Sequence, residues 1–210
     1  MAELDLDDLV RNGTMSAGIA ATLTTAAREM RSFVVFAVPR LAGKSTVLEA
    51  MLARRPGGVT VRTVKGGAAE MGVLERAREG GYLQIAEISH ATTIDGYIWG
   101  APVRRVFKTL AAGYSLAVAL HAPGVKEAFD IISHGNGVPD EDASRIQLSV
   151  YVRSLGEWQA PVGRRIAEVH EIEGVVGGVP TARLLHRWDE ASDRFVEVEA
   201  PRVLGSAPSA

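Results

Sequence analysis

The amino-acid sequence predicts an α/β protein with a mostly parallel sheet, followed by a C-terminal antiparallel β-hairpin appendage. Short apolar runs alternate with helix-patterned segments from Phe33 to Ile132, the order expected of an open parallel sheet. From about Arg145 the pattern changes to strands that alternate apolar and polar residues, as one-face-solvated antiparallel sheets do. With 210 residues, 47% hydrophobic and 23% charged, the chain has the balance of a folded domain with an appendage.

Met1 to about Arg31 reads as helical. Asp5-Leu6-Asp7-Asp8-Leu9-Val10 spaces its apolar residues as a helix does, Asn12-Gly13 stops it, and a second helix is expected from Ser16 to Arg28 or Met30. The unbroken apolar run Phe33–Val38 fits a strand buried on both faces. Pro39-Arg40-Leu41-Ala42-Gly43 breaks it, and Lys44–Arg54 reads as a helix with Val47, Leu48, Met51 and Leu52 on one face. Then follow a strand (Val59–Val64), a helix (Ala68–Arg78), a strand (Tyr82–Ile88), a helix (Val103–Ala112), a strand (Ser115–Leu120) and a helix (Val125–Ile132). Beyond a break near Gly135–Asp142, Ile146–Val152, Arg164–Glu173, Ala182–Trp188 and Phe195–Val198 predict short antiparallel strands. The expected organisation is a core over 1–140, an antiparallel appendage over 141–204 and a loose tail over 205–210.

Twenty-three Lys and Arg against 25 Asp and Glu leave a net charge of −2, which argues against a nucleic-acid partner. The absence of cysteine excludes disulfides, zinc–thiolate sites and thiol catalysis. Apolar runs are too short to span a bilayer, and the acidic start (Glu3, Asp5, Asp7, Asp8) lacks the basic stretch of a signal peptide. A cytoplasmic protein without direct membrane insertion is expected.

Gly43-Lys44-Ser45-Thr46 stands between a buried-strand run and a helix, the context a phosphate-binding loop requires. Backbone N–H groups at the helix start attract phosphate, Lys44 would reach the β- and γ-phosphates, and Ser45 would hold Mg2+. Leu41 and Ala42 occupy the tight part of this turn, where a Cβ resists the positive φ that lets N–H groups converge on an anion. A plain strand–helix turn with a capping serine and a surface lysine is the competing reading. Glu87 ends a buried strand, and a carboxylate there faces the ligand crevice of a parallel sheet. It could orient water and contact Mg2+ through a water, or be a solvent-facing strand terminus. His121 follows Ser115–Leu120 in the same way, either as a γ-phosphate contact or as a structural histidine. His90, His134, His170 and His186 sit at no metal-ligand spacing and read as structural.

In this order, strand–GKST–helix, strand–Glu, then helix–strand–His, the chain resembles the ATPase domain of the type II/type IV secretion superfamily (traffic ATPases), in particular the CpaF-type ATPases of tight-adherence pili. The resemblance begins at Leu6–Ser16 and continues through Phe33–Leu52. It takes in Ile85-Ala86-Glu87-Ile88, where the family has its Gly-Glu Walker B motif, and Leu116–Ala122, similar to its histidine box. Val125–Phe129 is similar to the helix after that box, and Arg165–Gly174 with Leu184–Asp189 to the C-terminal hairpins. It implies a RecA-like P-loop core binding ATP and Mg2+ over Pro39, Arg40, Leu41, Ala42, Gly43, Lys44, Ser45 and Thr46, with Glu87 and His121 catalytic. It also implies a hexameric ring working with secretion or pilus machinery, cytoplasmic or peripheral at the inner membrane through partners.

The chain departs from the family's pattern in several places. Val38 and Leu41 stand where the family keeps glycines, Arg62 where an acidic residue is expected, and Ser89-His90 follow Glu87. The connection from Thr63 to Tyr82 is short, and the resemblance covers the ATPase domain without the family's N-terminal domain. Three functions are therefore expected to compete: a secretion-type ATPase domain, a non-hydrolysing relative acting as a binding or assembly subunit, and a small-molecule P-loop kinase lacking a recognisable lid.

Overall fold

The computed structural model describes residues 4–38, 41–157 and 159–205. The chain runs α1 (Leu6–Arg11), α2 (Ala17–Arg28), β1 (Ser32–Ala37), α3 (Lys44–Leu52), β2 (Val61–Thr63), α4 (Ala68–Ala77), β3 (Tyr82–Ile88), β4 (Tyr97–Ile98) and α5 (Ala101–Thr109). It continues with β5 (Ser115–Leu120), α6 (Val125–Asp130), α7 (Asp140–Ala143), β6 (Ile146–Leu155), β7 (Gly163–Val176), β8 (Val179–Asp189) and β9 (Arg194–Glu197). The class is the one the sequence predicts, α/β with a mostly parallel sheet and antiparallel strands at the C-terminal end.

Local chemistry sets the helix starts. Asp5 and Asp8 form a reciprocal capping box at α1, with Asp8 N–H donating to Asp5 at 2.8 Å and Asp5 N–H to Asp8 at 3.0 Å. Ser16 caps α2 by accepting from Ile19 N–H at 3.2 Å.

Among the described residues the strands form one sheet in the order β2-β3-β5-β1-β6-β7-β8-β9, with β4 paired to β3. β1 lies parallel to both β5 and β6, and all of its residues are buried. Alternation along β1 divides its side chains between two cores. Phe33, Val35 and Ala37 pack with Leu6, Ile19, Leu23, Val47, Leu48 and Met51 from α1–α3. Val34 and Phe36 pack on the other face with Met71, Val106, Phe107 and Phe129 from α4–α6. Burying each Phe or Val of β1 contributes about 1.5–3 kcal/mol, so helices on both faces hold the strand whose end begins the phosphate-loop candidate.

Several local expectations are corrected. β6 is not an antiparallel appendage strand alone: it pairs parallel with β1 and antiparallel with β7, so the C-terminal strands continue the core's sheet. Those strands are long, 10, 14 and 11 residues for β6, β7 and β8, and the register shifts at bulges in β7 (Ala167, Glu173) and β8 (Leu185). β2 is trimmed to three residues at the sheet edge, and the helix after β5 ends in a π-turn over Ile131–Gly135. β4 and α7 carry no signal in the sequence. Of the expected tail, Gly205 donates to Glu29 at 2.8 Å, and 206–210 lie outside the described residues. No helix among the described residues is long and apolar enough to cross a membrane.

Glu171 on β7 is 1% exposed and accepts from the backbone N–H groups of Arg202 (2.7 Å), Val203 (2.9 Å) and Leu204 (2.9 Å). The buried carboxylate fastens the C-terminal segment to the sheet and brings Leu204 into the core. Glu171→Ala should therefore cost about 1.5–3 kcal/mol in urea denaturation and speed proteolysis near Arg202; an unchanged digestion pattern would show that Leu204 and the Arg31 and Glu29 contacts hold the segment without it.

His170, in register with buried Ser149, is 7% exposed, and its Nδ1 has no hydrogen-bond partner among the described residues. Burial pushes its pKa down to about 4, and burial also lowers that of His186, where Glu197 opposes the shift. Since the unfolded histidine titrates near 6.5, the unfolded chain takes up the proton first as the solution is acidified. Stability is therefore full above about pH 6.5 and falls towards pH 4, by roughly 3 kcal/mol for His170. His170→Leu should flatten this part of the stability–pH curve, which urea titrations at stepped pH will read.

Candidate nucleotide site

Three adjacent parallel strands, β3, β5 and β1, end on the same edge of the sheet, which is where α/β folds place their ligand crevices. Glu87 stands near the end of β3, His121 directly after β5, and Lys44 opens α3 after the loop that leaves β1. The topology thus gathers residues between 34 and 77 positions apart in the chain. Lys44 Nζ lies 3.3 Å from Glu87 Oε2 and 3.1 Å from His121 Nε2. His121 Nε2 is 3.3 Å from Glu87 Oε1, and its Nδ1 is 3.2 Å from the Ala37 carbonyl oxygen. With Nδ1–H donating to Ala37, Nε2 is left to accept from Lys44; when both nitrogens carry protons, Nε2 donates to Glu87.

Lys44 and Glu87 are both buried, at 7% and 6% exposure. Burial by itself would raise the Glu87 pKa, but the His121 hydrogen bond and the charges of Lys44 and His121 outweigh it and hold the carboxyl below its ordinary range. Glu87 is therefore ionised at neutral pH, with two hydrogen-bonding neighbours on the sheet edge.

These residues open onto a cavity of about 550 Å3 lined by the loop residues Leu41, Ala42 and Gly43, by Lys44, Ser45 and Thr46 of α3, and by Glu87 and His121. The volume lies within the range of small-molecule and cofactor sites. Pro39 and Arg40, also expected in the loop, lie outside the described residues. α3 is fixed beneath the loop by Val47, Leu48, Ala50, Met51 and Leu52, all buried.

Among the described residues of the loop, Leu41 at 64° and Gly43 at 93° have positive φ. Sequence reasoning identified Leu41 as resistant to this geometry; the structure places it there nonetheless, with its side chain 61% exposed. A left-handed conformation costs a residue with a Cβ about 1–2 kcal/mol, which the anchored strand and helix on either side must hold. Gly43 takes its positive φ without a Cβ; a methyl group there would also come 2.7 Å from Arg164 Cδ, a contact that the flexible arginine side chain can relieve by shifting.

Sequence reasoning missed the opposite wall. Ile94 precedes β4 and Tyr97 begins it, while Pro161 comes from the β6–β7 turn and Arg164 from the start of β7. Only the pairing of β6 beside β1 brings Arg164 over the loop, where Nη2 lies 3.1 Å and Nε 3.4 Å from the Leu41 carbonyl oxygen. No local pattern in the sequence carries that pairing. Arg62 is directed elsewhere, to Thr60 at 2.9 Å and to Glu79. The other histidines have separate surroundings: His90 stacks on Trp99, His134 pairs with Asp130, and His186 bonds Thr22. Among the described residues no group of three or more His, Asp or Glu is placed to hold a metal ion by itself.

The fold is RecA-like, with a mostly parallel sheet and antiparallel strands at its C-terminal end. Among solved structures, the chain is similar to the VirB11 ATPase of the Brucella suis type IV secretion system, solved with sulfate: 17% identity, TM-score 0.51, covering 79% of this chain and 54% of that one. It also matches the ATPase DotB of Legionella pneumophila, at 13% identity and TM-score 0.44, covering 83% of this chain and 49% of that one. The chain spans about half the length of these structures. No family model matches it, and no curated protein does.

The strained loop yields a stability test. Leu41→Gly removes the Cβ clash and an exposed side chain, at the cost of a more flexible unfolded chain, and should be neutral to stabilising by about 1 kcal/mol. Leu41→Val places a β-branched residue at the same positive φ and should destabilise by about 1 kcal/mol. Equal urea midpoints for the two variants would show that residue 41 is not held in this conformation in solution.

Proposed function

We propose that this chain binds ATP with Mg2+ at the head of α3 and hydrolyses it. The observation that carries the reading is the meeting of Lys44, Glu87 and His121 on the lip of the cavity, at the carboxyl ends of three parallel strands. The loop amides and the α3 N-terminus would receive the phosphate chain, and Lys44 would exchange part of its contact with Glu87 for phosphate oxygens. The Ser45 hydroxyl and, through a water, Glu87 would hold Mg2+, which when bound neutralises phosphate charge and polarises the phosphoryl oxygens. Glu87, ionised, would orient the attacking water and draw its proton, while His121 would donate to the terminal phosphate. Phosphoryl transfer is mostly positioning and electrostatics, and this arrangement supplies both.

The likeness in fold to the VirB11 ATPase supports a wider role. Hydrolysis would be coupled to protein export or pilus assembly by a homo-oligomeric ring, hexameric by resemblance, acting with secretion or pilus proteins on the cytoplasmic side of the inner membrane. Near-neutral charge supports a partner set without nucleic acid.

A second reading, binding without turnover, is favoured by one observation: Leu41 holds a conformation that suits glycine, so the loop amides converge only under strain. The two readings separate cleanly. Mg-ATP at 100 times its Kd should stabilise the protein by about 2.7 kcal/mol, and Lys44→Ala should abolish that gain. Glu87→Gln should still be stabilised by nucleotide but release phosphate at least about 100-fold more slowly. Stabilisation with no phosphate release by the unaltered chain would establish the second reading, and no stabilisation at all would refute both.

A further inference from the structure

We infer that Arg164 is a second phosphate-binding cation of the site, supplied by the same chain from the start of β7. The inference rests on the nucleotide reading above and adds a residue to it. Arg164 lines the same cavity as Lys44, Ser45 and Thr46. Its stem lies over Gly43, and its guanidinium donates to one neutral group, the Leu41 carbonyl.

The neighbouring arginines of this sheet are committed differently. Arg165 holds Asp193 through two bonds of 2.7 and 2.8 Å, Arg153 holds Glu190, and Arg183 holds Glu173 and Glu199. Among the described residues, Arg164 donates to no carboxylate. A guanidinium carries five N–H donors in a planar fork that matches phosphate, and one carbonyl leaves most of them available.

Charge balance points the same way. Among the described residues lining the cavity the permanently charged cations are Lys44 and Arg164, and both Lys44 and His121 already face Glu87. A polyphosphate entering this cavity meets its surplus positive charge at Arg164. Because β6 lies directly beside β1, the β6–β7 turn arrives over the loop of its own chain, and no second copy is needed to place this cation.

The test is a calorimetric titration of the full chain with Mg-ATP and, separately, with inorganic tripolyphosphate, at several salt concentrations. R164Q keeps an amide able to reach the Leu41 carbonyl but removes the charge. It should weaken both ligands about tenfold or more and flatten the dependence of log Kd on log salt, while its melting temperature stays near that of the unaltered chain. R164K keeps the charge without the fork and should give an intermediate Kd with the original salt slope. If R164Q binds both ligands with unchanged Kd and slope, the inference is overturned while the nucleotide site stands. Weakened ATP with unchanged tripolyphosphate also overturns it, since the contact would then be to the nucleoside. If the unaltered chain binds neither ligand, the nucleotide reading itself has failed.

Discussion

The site depends on a buried ion pair. Lys44 and Glu87 are both withdrawn from water, and removing either leaves the other's buried charge less well compensated. Such a pair is poor ground for a stability argument, because hydrophobic residues of the same volume would often serve the fold as well. What it does is fix geometry: the first turn of α3, the end of β3 and the residue after β5 are held in one constellation by charge and by His121. It also prepares a choice for Lys44, whose ammonium can move between a fixed carboxylate and an incoming anion without first shedding a full hydration shell.

That constellation rests on the sheet order. Glu87, His121 and Lys44 meet because β3, β5 and β1 are neighbours and run the same way, so their carboxyl ends share an edge. The same order places β6 on the other side of β1, and with it the β6–β7 turn above the loop. One topological arrangement therefore supplies both walls of the cavity. Its foundations are apolar: β1 is buried on both faces, and its alternate residues belong to two different cores.

Much of this was legible in the sequence, and the physical reason is locality. Phe33–Val38 reads as a two-face-buried strand from composition alone, and Gly43-Lys44-Ser45-Thr46 reads as a helix start from its immediate context. Glu87 and His121 could be singled out because a strand's carboxyl end is a local property. What stayed hidden was set by pairing between distant segments. β6 alternates as an antiparallel strand does, but its partner on one side is β1 and the contact is parallel. Arg164 sits in an unremarkable Gly-Arg-Arg run, and its place over Gly43 follows from that pairing alone. Two-residue β4 is too short to show a period, and buried Glu171 looks like any polar residue of an alternating strand until residues 202–204 are seen to fold back onto it.

The loop itself shows how sequence and structure can conflict locally and still agree globally. Leu41 prefers the conformations that its φ of 64° excludes, so local propensity and the observed backbone disagree. Such a residue persists only where its surroundings over-determine it. Here they do: the strand before the loop is wholly buried, most of the nine-residue helix after it is buried, and Arg164 bonds the Leu41 carbonyl from above. Among the described loop residues the strain falls on exposed Leu41, at the place where backbone N–H groups would have to turn towards an anion. An occupant that draws those groups inward would work with the buried strand and helix and against the Leu41 Cβ. The Leu41 side chain is thus one contribution to the difference between a bound and an empty loop, beside the charges of Lys44, Glu87 and Arg164 around it.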